Sequence, residues 1–185
     1  MTTSVKKQDG ERAFKTLLDR NHPAYALMNE GKTYVGRASL FGREYMSVYE
    51  PIREGNRTIG ILYIGSDIGA ILGKLETVMA AQKLFTSGAV YAVNLSSGPA
   101  RGSVFGLPGA GKSLKVDEKD DDAKTWLASL AAIEQAGNLE SKWSPRRSAE
   151  GDRATRFVAI ERYKPWSWAI VAEAPLTEMM GEARY

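Results

Sequence analysis

Tyr49-Glu-Pro-Ile-Arg-Glu-Gly-Asn-Arg-Thr-Ile-Gly-Ile-Leu-Tyr-Ile-Gly-Ser-Asp-Ile68 reads as a strand, a tight turn, a second apolar strand and the start of an amphipathic helix. The phrase is written again near the C-terminus as Phe157-Val-Ala-Ile-Glu-Arg-Tyr-Lys-Pro-Trp-Ser-Trp-Ala-Ile-Val-Ala-Glu-Ala-Pro-Leu176. Setting Gly60 on Trp168 puts Leu62 on Ile170, Ile64 on Ala172 and Ile68 on Leu176. That offset is far longer than a solenoid period of roughly 20 to 50 residues, so it predicts two small α+β modules in tandem.

Outward from the first copy, Thr33 to Leu40, Arg43 to Ile52 and Arg57 to Ser66 form an antiparallel meander, broken at Phe41-Gly42 and Glu54-Gly55-Asn56. Asn21-His-Pro23 starts a short helix before it, with Asn as the capping residue, and Gly31 ends that helix. Ile68, Ile71, Leu72, Leu75, Val78 and Met79 recur at helical spacing, which predicts a helix from Asp67 to about Phe85 as the joint between modules. The second module reads as strands at Ala89 to Leu95 and Gly102 to Phe105, then a helix marked by Trp126, Leu127, Leu130 and Ile133 and closed by Gly137-Asn138. Leu139 to Trp143, Thr155 to Tyr163 and Trp166 to Ala174 follow as strands. Helix, two strands, helix and three strands is the order of a PAS-like sensory module.

The 185 residues are 43% hydrophobic, enough for one domain or two small ones. A net charge of +3 arises from 25 basic and 22 acidic residues spread along the chain, which argues against a nucleic-acid-binding block. Without cysteine, disulfides and Cys-based zinc sites are excluded. No apolar run approaches the roughly 18 to 20 residues of a membrane span, and the N-terminus lacks a signal peptide's apolar core.

Gly106-Leu-Pro-Gly-Ala-Gly-Lys-Ser113 matches the Walker A pattern, in which successive backbone N–H groups wrap phosphates. A P-loop nucleotide enzyme is therefore the alternative function. Yet such a loop needs a helix starting at its Lys-Ser, and Leu114-Lys-Val-Asp-Glu-Lys-Asp lacks a helical apolar stripe and sets acids near the phosphate. Glu173, the acid that ends an apolar strand, lacks the parallel βαβ context that would set it beside the loop. The only histidine, His22, reads as a helix-start residue, and Asp120-Asp121-Asp122 as a helix cap rather than a calcium site.

Alternation places Tyr45, Ser47 and Tyr49 on one face of the second strand, with Met46 and Val48 on the other. If the next strand presents Tyr63 on that side, phenols and a hydroxyl converge above the sheet, either as core or as donors to a small carboxylate. Arg37 and Arg43 lie near enough in sequence to supply charge. In the second module Arg156 alternates with Val158 and Ile160, so it needs an anion, either a protein carboxylate or a ligand, with Tyr91, Trp143 and Tyr163 as walls.

Asp19-Arg-Asn-His-Pro-Ala-Tyr25, Tyr34-Val-Gly-Arg-Ala-Ser-Leu-Phe-Gly-Arg-Glu-Tyr-Met46, Tyr49-Glu-Pro-Ile52 and Ile59-Gly-Ile-Leu-Tyr-Ile-Gly-Ser-Asp67 resemble the first half of tandem Cache sensor domains. Trp143, Arg156-Phe-Val-Ala-Ile160 and Trp166-Ser-Trp-Ala-Ile-Val171 resemble the second Cache unit. These domains are extracytoplasmic ligand-binding regions of bacterial chemoreceptors and sensor kinases. The resemblance implies an α+β fold of PAS-like modules: an N-terminally truncated membrane-distal module over 1–67 and a second module with its entering helix over 68–185. Family members place a His-Pro pair where this chain has Gly106-Leu-Pro108, and they carry a long helix and strands upstream of Thr2.

By the same resemblance the chain is expected to be non-enzymatic, without metal or cofactor, and periplasmic as part of an inner-membrane receptor whose membrane helices lie elsewhere. It is expected to sense a small organic acid, a monocarboxylate, and to pair as a homodimer. Citrate- and dicarboxylate-sensing relatives use the strand aligned with Ser47 and Tyr49 and the position of Tyr63. Arg37, Tyr45, Ser47, Tyr49, Tyr63, Tyr91, Trp143 and Arg156 are thus the candidate ligand-binding residues.

Overall fold

Phe41 and Gly42 both take positive φ, 53° and 76°, and form the two-residue turn whose twist suits antiparallel strands. The turn joins β1 (Tyr34–Leu40) to β2 (Arg43–Glu54) and pairs Leu40 with Arg43, which fixes the register down to Tyr34 opposite Tyr49. A second two-residue turn with Gly55 at positive φ leads into β3 (Arg57–Asp67), after an irregularity at Ile52/Arg53. The computed structural model describes residues 3–97, 100–109, 114–146 and 154–182. Within it the chain forms two compact units, Met1–Leu72 and Gly73–Tyr185.

The first unit is a three-stranded antiparallel sheet in the order β1-β2-β3, with α1 (Pro23–Asn29) on one face. The residue capping α1 is His22 and not Asn21, since its Nδ1 accepts the Ala24 N–H at 3.1 Å while the Asn21 N–H turns back to Asp19. Ala24 and Met28 of α1 bury themselves against Ala38 and Tyr49. The Thr58 hydroxyl ties the end of the helix to β3 by donating to the Met28 carbonyl at 2.8 Å. The sheet's other face exposes Val35, Ile52, Leu62 and Ile64.

The helix α2 (Gly69–Ala81) begins where the Asp67 carboxylate accepts the Gly69 N–H, at 2.9 Å. It stops short of Phe85, because Leu84 and Gly88 close a turn in which Phe85 takes a positive φ of 54°. Gly88 is required there: a Cβ would stand 2.3 Å from the Leu84 carbonyl oxygen and 2.7 Å from that of Glu173.

The second unit is a five-stranded antiparallel sheet in the order β5-β4-β8-β7-β6. Its strands are β4 (Ala89–Asn94), β5 (Val104–Phe105), β6 (Ala136–Ser141), β7 (Arg156–Tyr163) and β8 (Trp168–Pro175), with α3 (Asp121–Ala132) on one face and α4 (Leu176–Glu182) after β8. Asp120 caps α3 by accepting the Asp122 and Ala123 N–H groups. Trp126, Leu127 and Leu130 of α3 sink into a core of Tyr91, Val93, Val158 and Val171. Each of the two leucines stabilises the unit by about 1.5–3 kcal/mol. The helix ends earlier than its sequence suggests, since Ile133 turns extended and Gly137 pairs with Ile160 inside β6. Among the described residues no helix is long and apolar enough to cross a membrane.

Candidate functional site

Three rows of residues cross the first sheet on the face that α1 partly covers. Cross-strand partners share a face, so the pairings Tyr34↔Tyr49↔Tyr63 make a row of phenols. The adjacent row is Gly36↔Ser47↔Gly65, and the next is Ala38↔Tyr45↔Asp67. The middle row is therefore a shallow trench with a glycine floor and aromatic walls. Gly36 is buried and Gly65 exposed, so the trench is shut at the β1 end and open at the β3 edge.

Two phenols lie down in this trench. A Cβ on Gly65 would meet the Tyr63 hydroxyl at 1.9 Å, and a Cβ on Gly36 would meet the Tyr34 hydroxyl at 2.4 Å. Only glycine lets these rings fold over their own strands. Ser47, which is 0% exposed, donates from Oγ to the Tyr63 hydroxyl at 3.2 Å, and the Tyr34 hydroxyl donates to the Arg37 carbonyl at 3.0 Å. Tyr49 contacts the rings of Tyr34, Tyr63 and His22 at centroid separations of 5.9, 4.9 and 5.2 Å.

Burial pushes the phenols of Tyr34, Tyr49 and Tyr63 above their ordinary value, and for Tyr49 the neighbouring phenols push the same way. They are hydroxyl donors throughout the neutral range. Burial also pulls His22 below its ordinary value, with Asp19 opposing. Because its Nδ1 accepts from Ala24, the neutral ring carries its proton on Nε2, which is buried beside Tyr34 and Tyr49 with no hydrogen-bond partner among the described residues. Sequence reasoning assigned His22 only a helix start. The signal for more was its place: it precedes a helix whose buried residues, Ala24 and Met28, pack with the tyrosines.

Arg37 does not join this group. It pairs with Met46, so it stands on the opposite face, where its guanidinium bonds Glu44 at 2.9 Å. The two-residue turn at Phe41-Gly42 sets that parity. Tyr45, Ser47, Tyr49 and Tyr63 do share one face.

The second unit holds a different constellation. Arg156, Val158 and Ile160 face the core, and Arg156 meets the Glu173 carboxylate at 3.9 Å. Glu173, 1% exposed, also accepts from the Tyr91 hydroxyl at 3.1 Å and from the Ser144 hydroxyl at 2.5 Å. Burial raises the Glu173 carboxyl above its ordinary value against the opposing pull of Ser144, Arg156, Tyr91 and Arg146. An internal carboxylate thus sits where the arginine needs an anion. Trp143 is set apart from these groups in its bonding: it stacks on Trp126 at 4.8 Å and donates its indole N–H to Asp120 at 3.2 Å. Tyr163 packs on Trp166 at 5.3 Å.

The Walker-like stretch begins in a loop after β5, and its last residues, 110–113, lie outside the described residues. Beyond it the chain turns back along the strand it left. The Val104 N–H donates to the Leu114 carbonyl and the Val116 N–H to the Gly102 carbonyl, and the next helix starts only at Asp121. Among the described residues no helix N-terminus follows the motif before Asp121 to hold a phosphate.

A family model described as the Cache 3/Cache 2 fusion domain matches residues 1–184. Among solved structures, the chain is similar to the extracellular domain of mmHK1S-Z2, named as a histidine kinase, with 17% identity and a TM-score of 0.59 over 93% of this chain and 62% of that one. It is similar to the ligand-binding domain of Mlp24 with asparagine at 15% identity and a TM-score of 0.55, over 96% and 65% of the two chains. The periplasmic sensory domain of the Campylobacter jejuni chemoreceptor Tlp1 gives 15%, 0.50, 87% and 57%. These identities show a shared fold. The chain spans from 57% to 65% of the length of these structures. No curated protein matches it.

Proposed function

Because the chain belongs to the Cache 3/Cache 2 fusion domain family, we propose that it is the extracytoplasmic, ligand-binding sensory part of a bacterial chemoreceptor or sensor kinase. Its ligand is a small monocarboxylate, bound in the first unit. The observation that carries this reading is Ser47: a fully buried hydroxyl in a glycine-floored row, bonded to a phenol that lies in the trench only because Gly65 lacks a Cβ. A core needs neither a central serine nor a glycine on each side of it.

In this reading the Tyr63 ring lifts away from Gly65, and the Ser47, Tyr45, Tyr49 and Tyr63 hydroxyls turn to the carboxylate, with the His22 Nε2–H as a further donor. The second unit holds its own carboxylate, Glu173, against Arg156 and is the transmitting partner. Ligand binding shifts the sheet against the helices that follow it, and the displacement passes to membrane helices of the parent receptor. Pairing of two copies along those helices belongs to the same reading.

Thermal unfolding with a panel of monocarboxylates, dicarboxylates, amino acids and Mg-ATP tests it. A bound monocarboxylate at 100 times its dissociation constant adds about 2.7 kcal/mol of stability, and Ser47→Ala removes that gain. Stabilisation by Mg-ATP that vanishes in Lys112→Ala, with no response to any carboxylate, replaces this reading with the nucleotide enzyme.

A further inference from the structure

We infer that β3 is an interaction surface for a second copy of this chain: two β3 strands pair antiparallel, edge to edge, about a two-fold axis at Leu62. The inference concerns assembly and stands apart from the ligand reading above.

In the first sheet β3 is bonded to β2 on one side and has no strand on the other among the described residues. The direction of its amides follows from the register. The Ile68 N–H donates to the Glu44 carbonyl at 2.9 Å, one step beyond the pairing of Tyr45 with Asp67. Amides alternate in direction along an antiparallel strand. From Gly60 onward the even-numbered residues therefore bond β2, and Ile61, Tyr63 and Gly65 offer their N–H and C=O groups outward. An open edge of this kind is a template for another strand, and proteins ordinarily blunt it with charge or proline. Between Arg57 and Asp67 β3 carries neither. Its Ile59, Ile61, Leu62 and Ile64 are instead between 40% and 64% exposed.

The strand is complementary to itself. Its charges sit at opposite ends, Arg57 in an exposed ion pair with Glu54 and Asp67 in one with Arg43, each at 3.8 Å. Antiparallel pairing with a copy sets each basic end beside an acidic one, whereas parallel pairing sets like charges together. With the axis at Leu62, that residue meets itself, Gly60 stands opposite Ile64, and Ile61 opposite Tyr63. Side chains directly opposite on one face pack together. On the face away from α1 the two leucines touch, and each Ile64 lies over the other copy's Gly60, which has no Cβ to oppose it. On the α1 face each isoleucine packs on a phenol ring, a favourable pairing of β-branched and aromatic side chains. The irregularity in β3 passes over Ile59, since Gly60 pairs with Ile52 and Thr58 with Arg53. That extra residue carries Thr58 opposite the other copy's Gly65. An axis one residue earlier sets Ile64 opposite Arg57, and one residue later sets Gly60 opposite Ser66, and both lose this fit. The pairing is the same patch used twice, so it closes as a dimer.

Sedimentation velocity of the whole chain over a range of concentrations tests the pairing. A reversible dimer is expected, in which the outward amides of Ile61, Tyr63 and Gly65 exchange fast in dilute solution and slowly once copies pair. Leu62 is half-exposed, so Leu62→Lys and Leu62→Glu each fold. Each sets like charges at the axis, where a pair without ladder bonds brings the Cα atoms to about 4.5 Å, and weakens the dimer about tenfold or more. Mixed in equal amounts the two variants are expected to pair again, because opposite charges then meet. Ile61→Pro removes an N–H that β2 does not use, a change an edge strand tolerates, and leaves a folded monomer. A wild type that stays monomeric at every concentration overturns the inference. So does a dimer that these variants leave intact, which places the contact on another surface, or a mixture that fails to pair. Growth into fibres overturns it too, since it shows a contact that does not close.

Discussion

The hydroxyl of Tyr91 donates to Oε2 of Glu173 at 3.1 Å, between two side chains that are 0% and 1% exposed. Removing one member of a buried charged pair costs about 3–5 kcal/mol, because the remaining charge is left without its counterion. Glu173→Leu is expected to destabilise the second unit by that order, as urea unfolding will show. Tyr91→Phe deletes one hydrogen bond and costs about 1 kcal/mol. Equal costs for the two substitutions contradict the network.

The same carboxyl sets a pH slope. Burial raises the Glu173 value above its ordinary 4.5, so the folded chain holds this proton longer than the unfolded chain does. Its contribution is fully present below 4.5 and falls as the pH climbs through the raised folded value. The melting temperature of the wild type minus that of Glu173→Gln therefore decreases as pH rises through that window. A difference that grows instead reverses the assignment.

Glu178, in α4, slopes the opposite way. It accepts from the Ser87 hydroxyl at 2.5 Å and from the Thr86 and Ser87 N–H groups at 3.0 Å each, and these bonds lower its value. The stability it adds is present above 4.5 and is lost as the pH falls through the lowered value. Glu178→Gln is expected to destabilise at neutral pH and to match the wild type in acid. Thermal scans across the acid range separate the two glutamates.

His22 gives the first unit its own acid sensitivity. Burial lowers its value below 6.5, so its contribution is complete above 6.5 and is lost as pH falls through the lowered folded value. Asparagine keeps the capping acceptor for the Ala24 N–H but does not titrate. His22→Asn is therefore expected to flatten the stability profile below pH 6.5, whereas His22→Ala costs about 1 kcal/mol above pH 6.5 and less as the pH falls and the wild type loses its own cap. An unchanged profile in His22→Asn refutes the role.

Gly36 and Gly65 are predicted to respond unequally to alanine. At exposed Gly65 the obstructing atom is the end of the Tyr63 side chain, which swings out at the loss of one hydrogen bond, about 1 kcal/mol. At buried Gly36 the Tyr34 ring has no such escape, and overpacking costs about 1–3 kcal/mol. Denaturation midpoints rank the two. Gly65→Ala also fills the trench, so it abolishes ligand binding while the unit stays folded.

Much of the fold was legible because its signals are local. The repeated hairpin, the meander and the alternation of Tyr45, Ser47 and Tyr49 all appear in the sequence, and the structure puts Tyr63 on the same face. Arg37 was misplaced although its face was readable. A two-residue turn at Phe41-Gly42 pairs 40 with 43 and therefore 37 with 46, opposite in parity to Tyr45. Tyr34 follows from the same count, opposite Tyr49. The partner of Arg156 was not readable in this way. Glu173 reaches it across the legible β7–β8 hairpin, but Tyr91 and Ser144, which hold that carboxylate in place, arrive through longer connections that no local pattern encodes.

The duplicated hairpin ends in two strands with unlike surroundings. β8 has β4 on one side and β7 on the other, whereas β3 has only β2 beside it. Every second amide of β3 therefore has no ladder partner among the described strands and trades its hydrogen for deuterium quickly, while those of β8 wait for the sheet to open. The two copies of one phrase keep time differently: a fast clock in the unit with the trench, and a slow one in the unit with the buried carboxylate.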